Sequence, residues 1–250
     1  RWNDHRAFFE AEASRLVGIK VSVGGDIDAA LLPFPSVTLR AIAIGPPGEG
    51  SRMRARSLRI ELGLGPLMRG DLRATEMRLV APQFNIGLDG KGQIDWPALA
   101  LANETLSIDR LSIEDGRATL TDAASKTRLV LDQLWFAGQV RSLTGPIQGK
   151  GEFVTGGGLY GYDISAGRAG VDGTRLKFSL KTDERPLIVE ADGLLAFEHG
   201  APHFDGALTL SRPAGAVLAS GKAVAYEPWR LTSKIKAGAS TAALDEVSFQ

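Results

Sequence analysis

Residues 8–40 read FFEAEASRLVGIKVSVGGDIDAALLPFPSVTLR, and a change of period inside this stretch decides the fold. Phe8, Phe9, Ala13, Leu16 and Val17 fall near the i, i+4, i+7 and i+8 positions of one helical face. Gly18 closes that pattern, as a glycine at a helix C-terminus does. From Ile19 the period drops to two, with Ile19, Val21 and Val23 alternating against Lys20 and Ser22. The spacing predicts a short amphipathic helix over residues 1–18 that hands the chain directly into a β-sheet occupying residues 19–250.

Downstream, period two and turn residues repeat. Pro33 and Pro35 fix φ and push Leu32 and Phe34 into extended conformations, a rigid elbow before the next strand. Leu58, Ile60, Leu62 and Leu64 share one face, with Arg59, Glu61 and Gly63 on the other. The segment from Pro66 to Asp71 suits a single helical turn, Asp89-Gly90 a hairpin, and Asp95-Trp96-Pro97-Ala98-Leu99 a short irregular excursion. A boundary between two sub-units falls most naturally near 97–105. From Leu106 onward strand-like segments recur about every ten residues, divided by Asp115-Gly116, Gly156-Gly157-Gly158, Asp172-Gly173 and His199-Gly200. Nothing between them is long enough for a crossover helix, so the segments read as sequential antiparallel hairpins, roughly fifteen strands in all.

The strands are one-sided. Leu176, Phe178 and Leu180 point one way, and Arg175, Lys177, Ser179 and Lys181 the other. Leu129 with Leu131, and Phe204 with Leu208 and Leu210, repeat the pattern. A sheet with a continuous apolar face must cover it, and only residues 8–17 offer a helix. At about 4.8 Å per strand a single meander would be roughly 70 Å wide, too wide to stay flat. The expected fold is mainly β: an elongated, strongly twisted antiparallel meander with one short N-terminal helix. Two outcomes stay open from periodicity alone: a sheet packed on itself as a sandwich, or a curled groove whose apolar lining faces something other than protein.

Composition removes several functions. Lys plus Arg and Asp plus Glu both total 29, so the chain is formally neutral and lacks the electrostatic footprint of a nucleic-acid binder. There is no cysteine, hence no disulfide, thiolate metal site or cysteine nucleophile. No run of about eighteen apolar residues is present to span a bilayer as a helix. The opening Arg1-Trp2 suits either the stretch that follows a membrane segment, because both side chains favour the interface, or an arbitrary starting point, and composition does not choose between them.

No catalytic constellation emerges. His199 and His203 are four apart with Asp205 nearby, but Gly200 and Pro202 make the segment a turn and spoil metal geometry. His5 sits in a charged opening segment. Gly156-Gly157-Gly158 lacks the Lys-Ser/Thr and helix of a phosphate loop, and Gly149-x-Gly151 lacks the third glycine of a dinucleotide site. Carboxylates such as Asp183, Glu184 and Glu246 sit beside turns or on polar faces. Trp96, Trp135 and Trp229 suit core packing or closure of a groove end. Neither a cofactor nor a metal is implied, and an enzyme is not expected.

Several of these segments, in this order, resemble the AsmA family. They are Phe8-Phe9-Glu10-Ala11-Glu12-Ala13-Ser14, Leu16-Val17-Gly18-Ile19-Lys20-Val21 and Leu31-Leu32-Pro33-Phe34-Pro35-Ser36. Gly65-Pro66-Leu67-Met68-Arg69-Gly70, Leu79-Val80-Ala81-Pro82 and Asp89-Gly90-Lys91-Gly92 before Asp95-Trp96 continue the match. So do Leu111-Ser112-Ile113-Glu114-Asp115-Gly116 with Asp122, Leu143-Thr144-Gly145-Pro146 and Gly149-Lys150-Gly151. The resemblance implies a periplasmic protein held in the inner membrane of a Gram-negative bacterium by an N-terminal anchor lying outside this chain. It also implies a repeating β-groove akin to chorein-type bridge proteins, and a part in outer-membrane biogenesis or phospholipid movement between the membranes.

On that reading, Leu58, Ile60, Leu62, Leu129, Leu131, Leu176, Phe178 and Leu180 line the groove and solvate the acyl chains of a phospholipid or similar lipid. Phe8, Phe9 and Leu16 cap its first strand edges. The alternative is a self-packed structural or regulatory module that binds another envelope protein.

Overall fold

The computed structural model describes residues 2–17, 20–30, 32–46, 52–69, 73–94, 107–141, 145–182, 186–217, 223–225, 227–239 and 241–250. After a 3-10 turn at Trp2–His5 come α1 (Arg6–Val17), β1 (Val21–Val23), β2 (Ile27–Ala30), β3 (Ser36–Ile44) and β4 (Met53–Leu62). The short α2 (Leu64–Met68) leads to β5 (Arg73–Val80), β6 (Gln83–Leu88), β7 (Ser107–Asp122) and β8 (Thr127–Val140). Then follow β9 (Ile147–Thr155), β10 (Gly158–Ala166), β11 (Thr174–Thr182), β12 (Ile188–Glu198) and β13 (Ala201–Arg212). The chain finishes with β14 (Gly215–Val217), β15 (Ala223–Ala225), β16 (Trp229–Ala237) and β17 (Ala242–Phe249). All but β14 and β15, which pair with each other, belong to one 15-stranded sheet that does not close on itself by strand pairing.

From β7 to β13, and on through β16 and β17, the strands follow one another as antiparallel neighbours, as the hairpin spacing predicts. Near the start the order is different. β5 and β6 are two halves of one line broken at Ala81-Pro82, and both run parallel to β7. A parallel pair needs the chain to return across the sheet. The connection after Leu88 does this, and its residues 95–106, with the proposed boundary near 97–105 and Trp96, lie outside the described residues.

Asp115-Gly116, expected as a turn, is instead a bulge within the 16-residue β7. Residues that tolerate positive φ serve a bulge as readily as a turn. Asp115 has φ 54° and Gln133, in the neighbouring β8, φ 50°. Ala41 in β3 (φ 50°) and Ala81 between β5 and β6 (φ 48°) continue the same line across the sheet. The pairings Arg40↔Ser57, Ser57↔Val80, Val80↔Glu114 and Gly116↔Leu134 carry the line from strand to strand. Together these kinks form a crease that folds the first strands over on themselves.

Folding at the crease builds the core. Val21, Val23, Ile42, Met53 and Ala55 from one side of it meet Ile27, Leu39 and Leu79 from the other, and Phe9 and Ala13 of α1 pack against the cluster. A second cluster of Ala74, Ile108 and Val140 closes the sheet end beside it, joined by Ile60 and Leu111. At this end, then, the sheet is packed on itself. By contrast, the elbow predicted at Leu32-Pro33-Phe34 leaves Leu32 80% and Phe34 67% exposed.

α1 covers the free edge of β1 with polar side chains. Val21 N donates to Ser14 Oγ (2.9 Å) and Val23 N to Glu10 Oε1 (2.7 Å), while in the preceding 3-10 turn Asn3 Oδ1 accepts from Ile27 N of β2 (2.8 Å). Arg6 donates to the Val23 carbonyl. An open strand edge exposes N–H and C=O groups, and side chains spaced along one helix face satisfy them here in place of another strand. Of the three residues expected to cap the edge, Phe9 joins the core, whereas Phe8 is 63% exposed and meets Phe9 edge-on. The side chain of Leu16 lies outside the described residues. Apolar groups cannot pair with a strand edge, so the edge is capped by the polar face of the helix.

Candidate functional site: an apolar trough on the inner face

Directly paired residues project from the same face of a sheet, so the register identifies each face across its whole width. One inner-face row runs Ile27, Leu39, Leu58, Leu79, Ile113, Phe136, Gly151, Tyr162, Leu180, Val189, Leu210, Leu231, Phe249. The adjacent row carries Val37, Ile60, Met77, Leu111, Gly138, Gly149, Ile164, Phe178, Ala191 and Leu208. Apart from the Tyr162 hydroxyl these positions are apolar, and the second row ends at the buried Ser233, the partner of Leu208.

The opposite face is a lattice of cross-strand ion pairs. Asp192 accepts from Arg175 (2.6 Å) and Lys177 (3.3 Å), Lys181 faces Asp163 (3.8 Å), and Lys234 meets Glu246 (2.5 Å). Burial alone would raise the Asp192 pKa, but hydrogen bonds and charge from Arg175 and Lys177 hold it below the usual carboxylate range. Glu246 keeps the Lys234 ammonium above its ordinary value by the same kind of contact. Exposed pairs of this type add little stability, but they give this face a balanced, well-hydrated surface.

Beyond the self-packed end the inner face opens into a trough. Its cavity, about 500 Å³, is lined by Leu129, Leu131 and Leu134 of β8 and by Phe153, Thr155, Tyr160, Tyr162, Phe178 and Leu180 of β9–β11. Four rings form a ladder along the floor. Phe153 stacks on Tyr160 with centroids 5.6 Å apart, Phe153 lies 5.8 Å from Tyr162, and Tyr162 lies 6.3 Å from Phe178. Burial among these groups pushes the Tyr162 hydroxyl up to about 12. That hydroxyl donates to the Trp135 carbonyl at 3.3 Å.

Glycines let the floor curl tightly. At Gly138, opposite Gly149, a Cβ would lie 2.5 Å from the Gln148 carbonyl oxygen and 2.6 Å from Cζ of Phe136. Gly193, opposite Gly206, repeats the arrangement under the Phe204 ring, where a Cβ would be 2.8 Å from Cζ. No larger residue fits these close approaches.

All eight residues expected to line the groove lie on this face, but not at one place. Leu129, Leu131, Phe178 and Leu180 border the cavity. Leu58 and Ile60 pack against the two core clusters, and Leu62, which pairs with Ala74, is half-buried beside them. Leu176 pairs with Ala166 and Gly193 farther along the floor. Sequence reasoning missed Leu134, Phe153, Tyr160 and Tyr162. The alternation Tyr160, Tyr162, Ile164 was legible, but Gly149 and Gly151 interrupt the apolar period of the neighbouring strand.

Trp135 lies on the outer face, since it pairs with Glu152, and Trp229 stacks on Phe249 at 5.9 Å. Asp183 and Glu184 lie outside the described residues. His199 occupies the β12–β13 turn with φ 51°, and His203 Nε2 is 3.8 Å from Glu198. Among the described residues no group of three or more His, Cys, Asp or Glu is placed to hold a metal.

A one-faced sheet, curled, glycine-thinned and lined with rings and aliphatic chains, defines a β-groove fold. The AsmA family model matches residues 1–183, and the chain belongs to the AsmA family. No curated protein and no solved structure matches. The family is associated with the bacterial cell envelope. No helix among the described residues is long and apolar enough to cross a membrane.

Proposed function

We propose that this protein shields the acyl chains of a phospholipid in its trough, without chemistry of its own, as part of lipid movement between the inner and outer membranes or of outer-membrane biogenesis. The single observation behind this reading is the cavity floored by Phe153, Tyr160, Tyr162, Phe178 and Leu180, an almost wholly apolar surface. Each CH₂ moved from water into such a lining gains about 0.8 kcal/mol, so a two-chain lipid would be retained strongly while its head group stays in water. Membership of an envelope-associated family supports the same reading. The cell location that goes with it is the periplasm, at the inner membrane.

The self-packed cluster under α1 favours a second reading, a self-packed structural or regulatory module that binds another envelope protein. Native mass spectrometry with phospholipid extraction separates the two. Co-purifying phospholipid that is lost on substituting Phe178 supports the first; purified protein free of lipid, and unable to take any up from vesicles, contradicts it.

A further inference from the structure

The connection leaving β6 begins by reaching the turn between β12 and β13. Its first residues, 89–94, form a compact strap. The Asp89 carboxylate accepts from Lys91 N (2.8 Å) and Gln93 N (2.9 Å), while Asp89 N donates to the Gln93 carbonyl (3.0 Å) and Gly92 N to the Asp89 carbonyl (2.9 Å). The outer end of the strap touches strands far away in the sheet. Ile94 N donates to the carbonyl of Gly200, in the turn between β12 and β13, at 3.0 Å. Gly92 comes so near the β16–β17 turn that a Cβ there would be 2.8 Å from the Ala239 methyl.

Between β6 and β12 the sheet order is β7, β8, β9, β10 and β11, the strands that supply the trough lining. The strap therefore joins the two ends of the curled strip that holds the cavity. Elsewhere around that strip, neighbouring strands are joined by ladders of many paired residues, interrupted by bulges between β7 and β8 and between β8 and β9. Among the described residues this contact shows one backbone hydrogen bond, and it brings Gly92, Gln93 and Ile94 to Gly200 and Ala239. A contact of this kind has fewer described hydrogen bonds than the strand ladders and opens at lower cost than they do, while the Asp89 bonds hold residues 89–93 together.

We propose that the Ile94–Gly200 contact is a seam that parts to let an acyl chain enter the trough from the side and closes behind it. This rests on the lipid reading above.

Two measurements test the seam. The first needs no lipid: hydrogen exchange on the lipid-free native chain. The Ile94 amide should exchange at least about a hundredfold faster than the ladder amides of β8 and β9, because it opens locally while they do not. Protection of Ile94 equal to theirs would overturn the proposal.

The second uses the chain's lack of cysteine. A Cβ at Gly200 would lie 3.8 Å from Cβ of Gln93, within the roughly 3.5–4.5 Å range of a disulfide, so Gln93→Cys with Gly200→Cys should crosslink the seam. The probe is vesicles of phosphatidylethanolamine and phosphatidylglycerol carrying a trace of acyl-labelled fluorescent phosphatidylethanolamine. Oxidation should slow transfer of label to the protein on the order of tenfold or more, and reductant should restore it. Equal transfer in both redox states, with the crosslink formed, would overturn the seam. Should the reduced variant and the native chain both take up no lipid, the lipid reading falls, and the Ile94 exchange rate alone decides whether the seam opens.

Discussion

Gly151 lies under the ring of Tyr162, its direct partner across β9 and β10, so closely that a Cβ on the glycine would sit 2.5 Å from ring Cζ. The ring fills the space a side chain would take and keeps the floor of the trough continuous. Gly151→Ala forces the ring or the strand aside and should cost about 1–3 kcal/mol in urea unfolding. Gly161, one residue before Tyr162 and facing the other way, has open space at its Cβ position. Gly161→Ala should be neutral or stabilise by up to about 1 kcal/mol through the unfolded chain. Equal costs at the two glycines would contradict the close approach.

The polar grip of α1 on the β1 edge makes a second prediction. Glu10→Ala leaves the Val23 amide without its charged acceptor and should cost about 1–3 kcal/mol. Arg15→Ala removes only an exposed pair with Glu12 and should cost under about 0.5 kcal/mol. Chemical denaturation of both variants checks the contrast, and a Glu10 variant as stable as the Arg15 variant would show that the helix is not closing the edge.

Tyr162 predicts a pH dependence. Burial pushes its hydroxyl up to about 12 from the ordinary tyrosine value of 10.0, so between those values the folded state holds a proton that the unfolded state has lost. The stabilising contribution is therefore complete below pH 10 and declines as pH rises toward 12. Comparing unfolding free energies of the native chain and Tyr162→Phe across this range isolates it, because other groups titrate alike in both. The native chain should lose stability relative to the variant above pH 10; a constant difference would place the hydroxyl in water.

Much of this architecture was legible in the sequence because period two reports faces directly. Leu176, Phe178 and Leu180 against Lys177, Ser179 and Lys181 were enough to predict a one-faced sheet. What was not legible depends on contacts between distant residues. Asp115-Gly116 has the chemistry of a turn and of a bulge, and only the continuous pairing of β7 with β8 distinguishes them. The parallel alignment of β5 with β7 has no local signature, since a returning connection reads as another loop. Apolar periodicity also steered the expected cap to Phe8, Phe9 and Leu16, while the edge is held by Asn3, Arg6, Glu10 and Ser14. Likewise nothing near Ile94 announces Gly200.

The central claim is that one face of this sheet solvates acyl chains and the other does not. The most direct measurement places a photoreactive amino acid at Phe178, on the trough floor, and in a second protein at Leu159, which pairs with Val154 and faces outward from β10. Each protein is irradiated after purification from cells grown with labelled phospholipid precursor. Lipid crosslinked from position 178 and absent from position 159 is the predicted result. Equal labelling at both positions, or none at 178, would contradict it.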